Sequence, residues 1–384
     1  MTSIRSNKDS NPDGSPLESL SVGEREALNE RAFMRMIAIE RKRTERSGDP
    51  FLLMLLEADN QQDSGENGKF LDSVVSALQS FFRETDVLGW YKDQTAVGVI
   101  FTGLVTEDKI PILKLLQNRV STLLRGKLTP DQFKQVSISF FFYPDDWDDG
   151  NAGPPITPTL YHDLLNPGKG RKFMLAVKRG IDIVGSALAL IVSMPLLYVV
   201  GIAIKVSSKG PILFRQKRVG QYGKRFTVLK FRTMQIDNDR SVHKKFVTKL
   251  IANEAEPVPS DVDGEGVYKL TNDDRVTRVG KFLRRTSLDE VPQFLNVLMG
   301  DMSIVGPRPA VLYELRAYQT WHRRRVLDFK PGITGLWQVF GRSRVKFDEM
   351  VRMDLQYSAT WSPWLDFKIL LLTPLAVIRG KGAH

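Results

Sequence analysis

Asp289 and Glu290 stand side by side in the stretch RVTRVGKFLRRTSLDEVPQFLNVLMGDMSIVGPRPA, residues 275–310. An ionised carboxylate can attack phosphorus to form an acyl phosphate, splitting a group transfer into two displacements. Thr286 and Ser287 before the pair are a helix-start signal, and Pro292 after it is tolerated in a first helical turn. The pair is therefore expected at a helix N-terminus, whose dipole favours ionised carboxylates and a phosphate brought beside them. On its own an Asp-Glu pair reads as a solvated helix start; the cations around it change that reading. Arg275, Arg278, Arg284 and Arg285 lie close before it, and Arg308 lies between Pro307 and Pro309, which restrict its backbone. The planar arginine fork suits phosphate recognition. Lys230 and Arg232 of KFRTM either join these cations or are exposed charges flanking a strand, FTVLKF.

The elements that must position these groups follow from the rest of the chain. Its 384 residues allow two or more domains, and the absence of cysteine excludes disulfides, thiolate metal sites and cysteine nucleophiles. His162, His243, His322 and His384 are too scattered for a zinc pair. Residues 1–170 hold 19 Lys+Arg against 25 Asp+Glu and residues 171–384 hold 36 against 19, so the net charge of +11 is carried by the second half. Such a half suits nucleic acid, an anionic membrane surface or phosphorylated substrates, and what accompanies the charge decides among them. A long apolar segment accompanies it, and no nucleic-acid reading motif does, so nucleic acid is not an expected partner.

That segment, Ile183 to Ile204, has no charged residue over 22 positions, enough for a straight helix across a bilayer core of about 30 Å. Pro195 in its middle removes a backbone donor, and Ser193 is expected to hydrogen-bond a freed carbonyl there. Lys169, Arg171, Lys172, Lys178 and Arg179 precede the segment, and Lys205, Lys209, Arg215, Lys217 and Arg218 follow it. The positive-inside rule cannot orient such a spanner, but it is satisfied if both ends return to one face. A re-entrant helix over about 181–206 is the expectation, with a spanning or a buried soluble helix as alternatives. Near the C-terminus, YSATWSPWLDFKILLLTPLAVIRGKG reads either as a headgroup-level element or as a core helix broken at Pro363 and Pro374.

Residues 1–30 read as a polar, disordered tail without a secretory signal. Helices at Arg31–Arg46, Lys69–Phe82 and Lys109–Arg125 then alternate with strands at Phe51–Glu57, Asp86–Tyr91, Thr95–Phe101 and Val136–Tyr143, giving an α/β domain over 31–145. Through RAFMRMIAIERKRTERSGDPF, TDVLGWYKDQTAVGVIF and VSISFFFYPDD it resembles a degenerate GGDEF domain, with a ferredoxin-like, nucleotide-cyclase-like sheet. Its hairpin turn, Trp90 to Gln94, lacks the family's glycines, which implies a regulatory or scaffolding module, a homodimer contact among its roles, rather than a cyclase. Residues 146–170, rich in Pro, Gly, Asp and Asn, read as a linker that cannot build a core.

Residues 171–384 resemble the bacterial sugar transferase family, the monotopic polyprenyl-phosphate phosphoglycosyl transferases. The likeness rests on the 275–310 stretch together with KRGIDIVGSALALIVSMPL, KGPILFRQKRVGQYGKRFTVLKFRTM, KPGITGLWQVFGRS and MDLQYSATWSPWLDFKILLLT, all in order. It implies a mainly α monotopic membrane domain with a re-entrant helix broken at Pro195, at the cytoplasmic face of the bacterial inner membrane. It also implies transfer of a sugar-1-phosphate from a nucleotide-sugar, a UDP-sugar by family expectation, to polyprenyl (undecaprenyl) phosphate, the initiating step of exopolysaccharide, capsule or glycoconjugate synthesis. Asp289 is then the covalent nucleophile, and Glu290, with Asp289 beside it, holds Mg²⁺. Arg284 and Arg308 grip the diphosphate, and Arg278, Lys230 and Arg232 are further phosphate candidates. Gly332 and Gly335 of KPGITG are expected to supply turns. The competing expectation is a non-catalytic, membrane-anchored nucleotide-sensing receptor.

Overall fold

The computed structural model describes residues 27–58, 64–79, 82–104, 109–144, 157–165, 168–235, 241–252, 254–255, 258–259, 266–267, 275–341 and 345–378. The expected tail falls almost wholly outside them. The chain forms two compact units, residues 1–36 with 52–140, and residues 37–51 with 141–384.

In the first unit α1 (Glu30–Ser47, whose second half belongs to the other unit) is followed by β1 (Phe51–Ala58), α2 (Ser64–Gln79), β2 (Val87–Lys92), β3 (Ala96–Phe101), α3 (Lys109–Lys127), α4 (Pro130–Lys134) and β4 (Val136–Tyr143). The sheet order is β2-β3-β1-β4. As an inner strand β1 is buried on both faces, which is why FLLMLL is continuously apolar instead of alternating. Gly89 and Gly98 face the Phe33 ring so closely that a Cβ at either would collide with it. The turn between β2 and β3 holds Gln94 at φ 55°, a left-handed position filled without glycine.

The second unit continues through α5 (His162–Leu165), α6 (Lys169–Ser207), β5 (Leu213–Val219), β6 (Arg225–Phe231), α7 (Ser241–Ile251), β7 (Val258–Pro259), β8 (Gly266–Val267), α8 (Arg278–Arg285), α9 (Gln293–Met299), β9 (Ser303–Val305) and β10 (Ala310–Val311). It ends with α10 (Leu312–Ala317), α11 (Thr320–Arg323), β11 (Gly332–Thr334), α12 (Leu336–Phe340), α13 (Phe347–Thr360) and α14 (Pro363–Ile378). Helices dominate, around an antiparallel β10-β5-β6 sheet and a parallel β11-β9 pair. Part of the expected linker is packed here: Leu160 and Tyr161 are buried, with Tyr161 between the Arg41 guanidinium and the Tyr143 ring. Composition averaged over 146–170 hid this apolar pair. Residues 145–156 lie outside the described set.

Among the described residues α6 is the one helix long and apolar enough to cross a membrane. Its inward stripe, Lys178, Asp182, Ser186, Val200, Gly201 and Ile204, is buried, while Val184, Leu188, Ile191, Val192, Tyr198, Val199, Ile202 and Val206 on the other side are exposed. The two ends are held differently. Lys178 Nζ donates to Val305 O at 3.0 Å and pairs with Asp366 at 2.6 Å, Asp182 accepts from Ser303 Oγ and Ile304 N, and Arg179 donates to the last carbonyls of α9, Val297 and Leu298. Val200 and Ile204 instead join an apolar cluster with Phe231 and Leu283. Ser193 does not do what its place near Pro195 suggests. A helical serine reaches back three or four residues, so its hydroxyl donates to Leu190 O at 3.3 Å, whereas a proline at 195 frees the carbonyl of residue 191.

The C-terminal helix α14 also has two faces. Asp366 and Ile369 are buried and Thr373 hydrogen-bonds Thr334, while Trp364, Phe367, Leu371 and Leu375 are exposed. The helix starts at Pro363 but continues through Pro374, so the break expected there is absent, and one element has both a buried face and an exposed apolar face.

Candidate active site

The dyad sits in a turn, not at the first residues of a helix. α8 ends with Thr286, whose hydroxyl turns back to Phe282 O, and Ser287 takes the left-handed conformation at φ 57° without capping anything. Leu288–Glu290 then form one turn of 3-10 helix, and α9 begins only at Gln293. The Thr-Ser pair thus ends one helix instead of starting another, because the Thr286 hydroxyl and the Ser287 N–H both donate back to the helix behind them. A non-glycine residue at positive φ is costly, and here it reverses the chain two residues before Asp289.

Two sets of contacts fix where that turn lies. Asn296, fully buried on α9, acts as an extra partner for β6: its Nδ2 donates to Thr227 O at 2.7 Å and its Oδ1 accepts from Leu229 N at 3.0 Å. This register puts Glu290 opposite Lys230, whose Nζ reaches Glu290 Oε1 at 2.6 Å. On the other flank Thr233 anchors α8. Thr277 N and Arg284 Nε both donate to Thr233, to its carbonyl and its hydroxyl respectively, and Gly280 lies against its backbone where a Cβ would collide.

The facing wall is a backbone crossing. Gly306 N donates to Thr334 O at 2.9 Å, Gly332 N to Pro307 O at 2.8 Å, and Ser303 N to Pro331 O at 2.8 Å. A Cβ on Gly306 would strike Lys330 O, and one on Gly332 or Gly335 would strike Gly306. The expected turn role of Gly332 and Gly335 is therefore replaced by a close approach, since neither has positive φ. The crossing presents Pro307-Arg308-Pro309, with the Arg308 guanidinium 5.9 Å above the Trp337 ring. Arg218, a residue the sequence reading left in a flanking cluster, is buried behind it. Its NH1 donates to Pro309 O at 2.7 Å, and its Nε and NH2 both reach Gln216 Oε1.

A cleft joins these pieces, lined by Lys230, Glu290, Arg218, Arg308, Gln293 and Gln338 among others. Burial pushes Asp289 up to about 6; Lys230 and Arg284 oppose the rise and the neighbouring Glu290 adds to it. Burial acts on Glu290 in the same sense, but the Lys230 ammonium, with Arg308 and Arg218, outweighs it and holds this carboxyl below its ordinary value. Environments that push two adjacent carboxyls apart give them separate roles. Glu290 is a fixed anion, and Asp289 is the more basic carboxylate, still mostly ionised at neutral pH.

Of the remaining candidates, Arg284 is close enough to Asp289 to act on its ionisation. Arg278 is exposed at the first residue of α8. Arg232 does not line the cleft. It is 6% exposed, and its guanidinium donates to Ser208 O, Ser208 Oγ and Lys209 O, closing the C-terminal end of α6. Strand alternation sends Lys230 and Arg232 along one face, but the chain leaves β6 at Phe231, so the two cations reach different partners. Among the described residues no group of three or more His or carboxylate side chains converges on a metal. Mg²⁺ is commonly bound by one or two carboxylates completed by substrate phosphates and water, and Asp289 with Glu290 fits that description.

Cations and Glu290 of the dyad line one cleft, in the unit that also carries the long apolar helix. Residues 173–380 match the bacterial sugar transferase family, and the chain belongs to it. It is 43% identical over 210 residues to the galactosyl transferase CpsE of Streptococcus agalactiae, covering 54% of this chain and 44% of that protein. It is 37% identical over 285 residues to the UDP-glucose:undecaprenyl-phosphate glucose-1-phosphate transferase of Escherichia coli, covering 72% of this chain and 54% of that one. It is also 38% identical over 207 residues to the exopolysaccharide production protein ExoY of Rhizobium meliloti, covering 54% of this chain and 88% of that one. The chain thus spans about half the length of several curated relatives it matches. A solved structure of a DGC protein from Thermotoga maritima aligns with 32% of this chain and 85% of its own at 18% identity, with a TM-score of 0.25, too low to argue from.

Proposed function

We propose that the chain transfers a sugar-1-phosphate from a UDP-sugar to polyprenyl phosphate at the cytoplasmic face of the bacterial inner membrane, as an initiating step of exopolysaccharide or related glycoconjugate synthesis. The observation that carries this reading is the cleft lined by Glu290 of the dyad, with Lys230 paired to it and Arg308 on the facing wall. The relative named for transferring glucose 1-phosphate to undecaprenyl phosphate supports the same chemistry.

Arg308 and Arg284 would bind the donor diphosphate, and Arg218 would keep the Pro-Arg-Pro backbone in place. The Asp289 carboxylate attacks the phosphorus that carries the sugar. A new P–O bond forms to Asp289, the bridging P–O bond breaks, and its electron pair leaves with the nucleoside monophosphate. An oxygen of polyprenyl phosphate then attacks the same phosphorus, the acyl-phosphate P–O bond breaks, and the carboxylate is restored. Mg²⁺ held by Glu290 and Asp289 would supply neutralisation of phosphate charge.

The re-entrant path of α6 belongs to the same proposal. Polar anchors near residue 180 and apolar anchors near residue 202 lie in one unit, both flanks are basic, and the face between them is apolar. The N-terminal unit is read as a GGDEF-like regulatory or scaffolding module without cyclase chemistry, on the strength of its glycine-free hairpin turn.

The test is nucleoside monophosphate release by the full chain in nanodiscs, with undecaprenyl phosphate and a panel of UDP-hexoses. Asp289→Asn should reduce release by about 10³-fold or more and abolish a hydroxylamine-labile phosphosugar on the protein. Release by Asp289→Asn at the wild-type rate would sink the nucleophile assignment.

A further inference from the structure

Two side-chain amides face the cleft, and the phosphate chemistry gives neither a role. Gln293 follows the dyad as the first residue of α9. It is only 3% exposed, lines the cleft, and its amide makes no hydrogen bond among the described residues. Gln338 on α12 lines the same cleft. Its Nε2 donates to Ile333 O at 3.0 Å, which fixes the direction of the amide, while its Oε1 is buried without a partner. Buried amides are normally satisfied, and leaving one unmade is costly. The buried Gln338 oxygen without a partner and the unbonded Gln293 amide share one wall, beside an Asn296 whose amide nitrogen and oxygen are both bonded, and they mark places where a ligand supplies the missing partner.

Their chemistry says which part of a ligand. An uncharged amide adds no Coulombic attraction to a diphosphate, and Lys230, Arg308 and Arg218 already bring positive charge to the cleft. A primary amide offers a donor and an acceptor together, which matches a group that does the same: a sugar hydroxyl or the edge of a nucleobase. We infer that Gln293 and Gln338 form an uncharged recognition subsite that hydrogen-bonds the neutral polar part of the nucleotide-sugar, not its phosphates. The inference rests on the cleft being the donor site. It makes the cleft bipartite, with cations for the diphosphate and amides for what the diphosphate joins. Removing an amide from such a site penalises ligands that present the matching group and leaves others alone.

Titration calorimetry on the full chain in nanodiscs separates the parts, using UMP, glucose 1-phosphate and inorganic pyrophosphate as probes. Gln293→Met and Gln338→Met keep side-chain length and remove the amide. Each should weaken UMP or glucose 1-phosphate by about tenfold while pyrophosphate stays within about twofold. Loss on UMP assigns the amide to the base or ribose, and loss on glucose 1-phosphate assigns it to the sugar. Gln293→Asn, which keeps a shorter amide, should fall between wild type and Gln293→Met, and unchanged pyrophosphate affinity shows that the cleft is intact. Equal weakening of pyrophosphate, or no change with any probe, overturns the subsite. If the wild type binds none of the three probes, the donor-site reading falls first and the subsite with it.

Discussion

Charges in the second unit live in two kinds of surroundings. In the scaffold they are buried and closely partnered: Arg325 and Asp354 pair at 2.7 Å with both side chains at most 3% exposed, Lys178 has three acceptors, and Arg232 has three around the end of α6. In the cleft they are half-exposed, as with Lys230 and Glu290 at 26% and 32%, and Arg308 is exposed with only a ring beneath it. The difference teaches how to tell a structural cation from a functional one. A guanidinium whose donors are taken by backbone carbonyls holds a fold together, and one left facing a cleft awaits an anion.

The comparison breaks most visibly at the scaffold pair. Asp354→Ala leaves Arg325 buried without its counter-charge and should cost about 3–5 kcal/mol, read as a lower denaturation midpoint. The double replacement Arg325→Met with Asp354→Leu should recover much of that loss. If Asp354→Ala unfolds at the wild-type midpoint, buried charges here are not structural.

Lys230 and Arg232, two residues apart, sharpen the contrast. Lys230→Met should lower turnover by about 10²-fold with little change in thermal midpoint. Arg232→Met should do the reverse, costing about 2 kcal/mol of stability by leaving the end of α6 uncapped, with turnover at permissive temperature within a few-fold of wild type. A reversed pattern would exchange their roles.

Asp289 adds a pH signature. Its pKa is raised to about 6, so kcat/KM should fall along a one-proton limb as pH drops through that value. The stability effect has the opposite sense. An acid whose folded pKa lies above its ordinary value destabilises the fold once ionised, so that contribution to stability is full below the ordinary carboxylate pKa of about 4 and is lost as pH rises through about 6. Asp289→Asn should therefore be more stable than wild type at pH 7.5, by about 1–2 kcal/mol after allowance for partial exposure, and the gap should close towards pH 4. A gap that persists at pH 4 would point to packing instead of ionisation. The smallest effect is expected from Arg278→Ala, an exposed helix start, within about 0.5 kcal/mol in stability and about twofold in turnover.

Much of this site was legible in the sequence. The dyad and the arginines around it could be seen from residue type and neighbourhood, Arg284 and Arg308 were singled out by the family resemblance, Lys230 was left between two readings, and the apolar helix followed from an uncharged run between basic flanks. What could not be read were the partners. Arg232 looked equivalent to Lys230 because both carry positive charge in KFRTM, and only the approach of Ser208 and Lys209 separates them. Gly332 and Gly335 looked like turn residues because a sequence does not show that Gly306 passes against them. Asn296 gave no signal and Arg218 only a place in a basic flank, since their value lies in backbone partners distant in the chain. Leu160 and Tyr161 were missed for a different reason, an average over a linker-like stretch.

The sequence by itself determined the inventory: which groups can ionise, which runs must leave water, and which segments have the periodicity of helix or strand. Those are properties of residues and near neighbours, set by side-chain chemistry and local backbone sterics. The tertiary structure alone decided which carboxyl is raised and which is held down, which cation closes a helix and which faces the cleft, and which glutamine atoms are left without a partner. Each of those depends on burial and on partners brought together from far along the chain, and electrostatic and hydrogen-bond energies change most steeply with distance and desolvation.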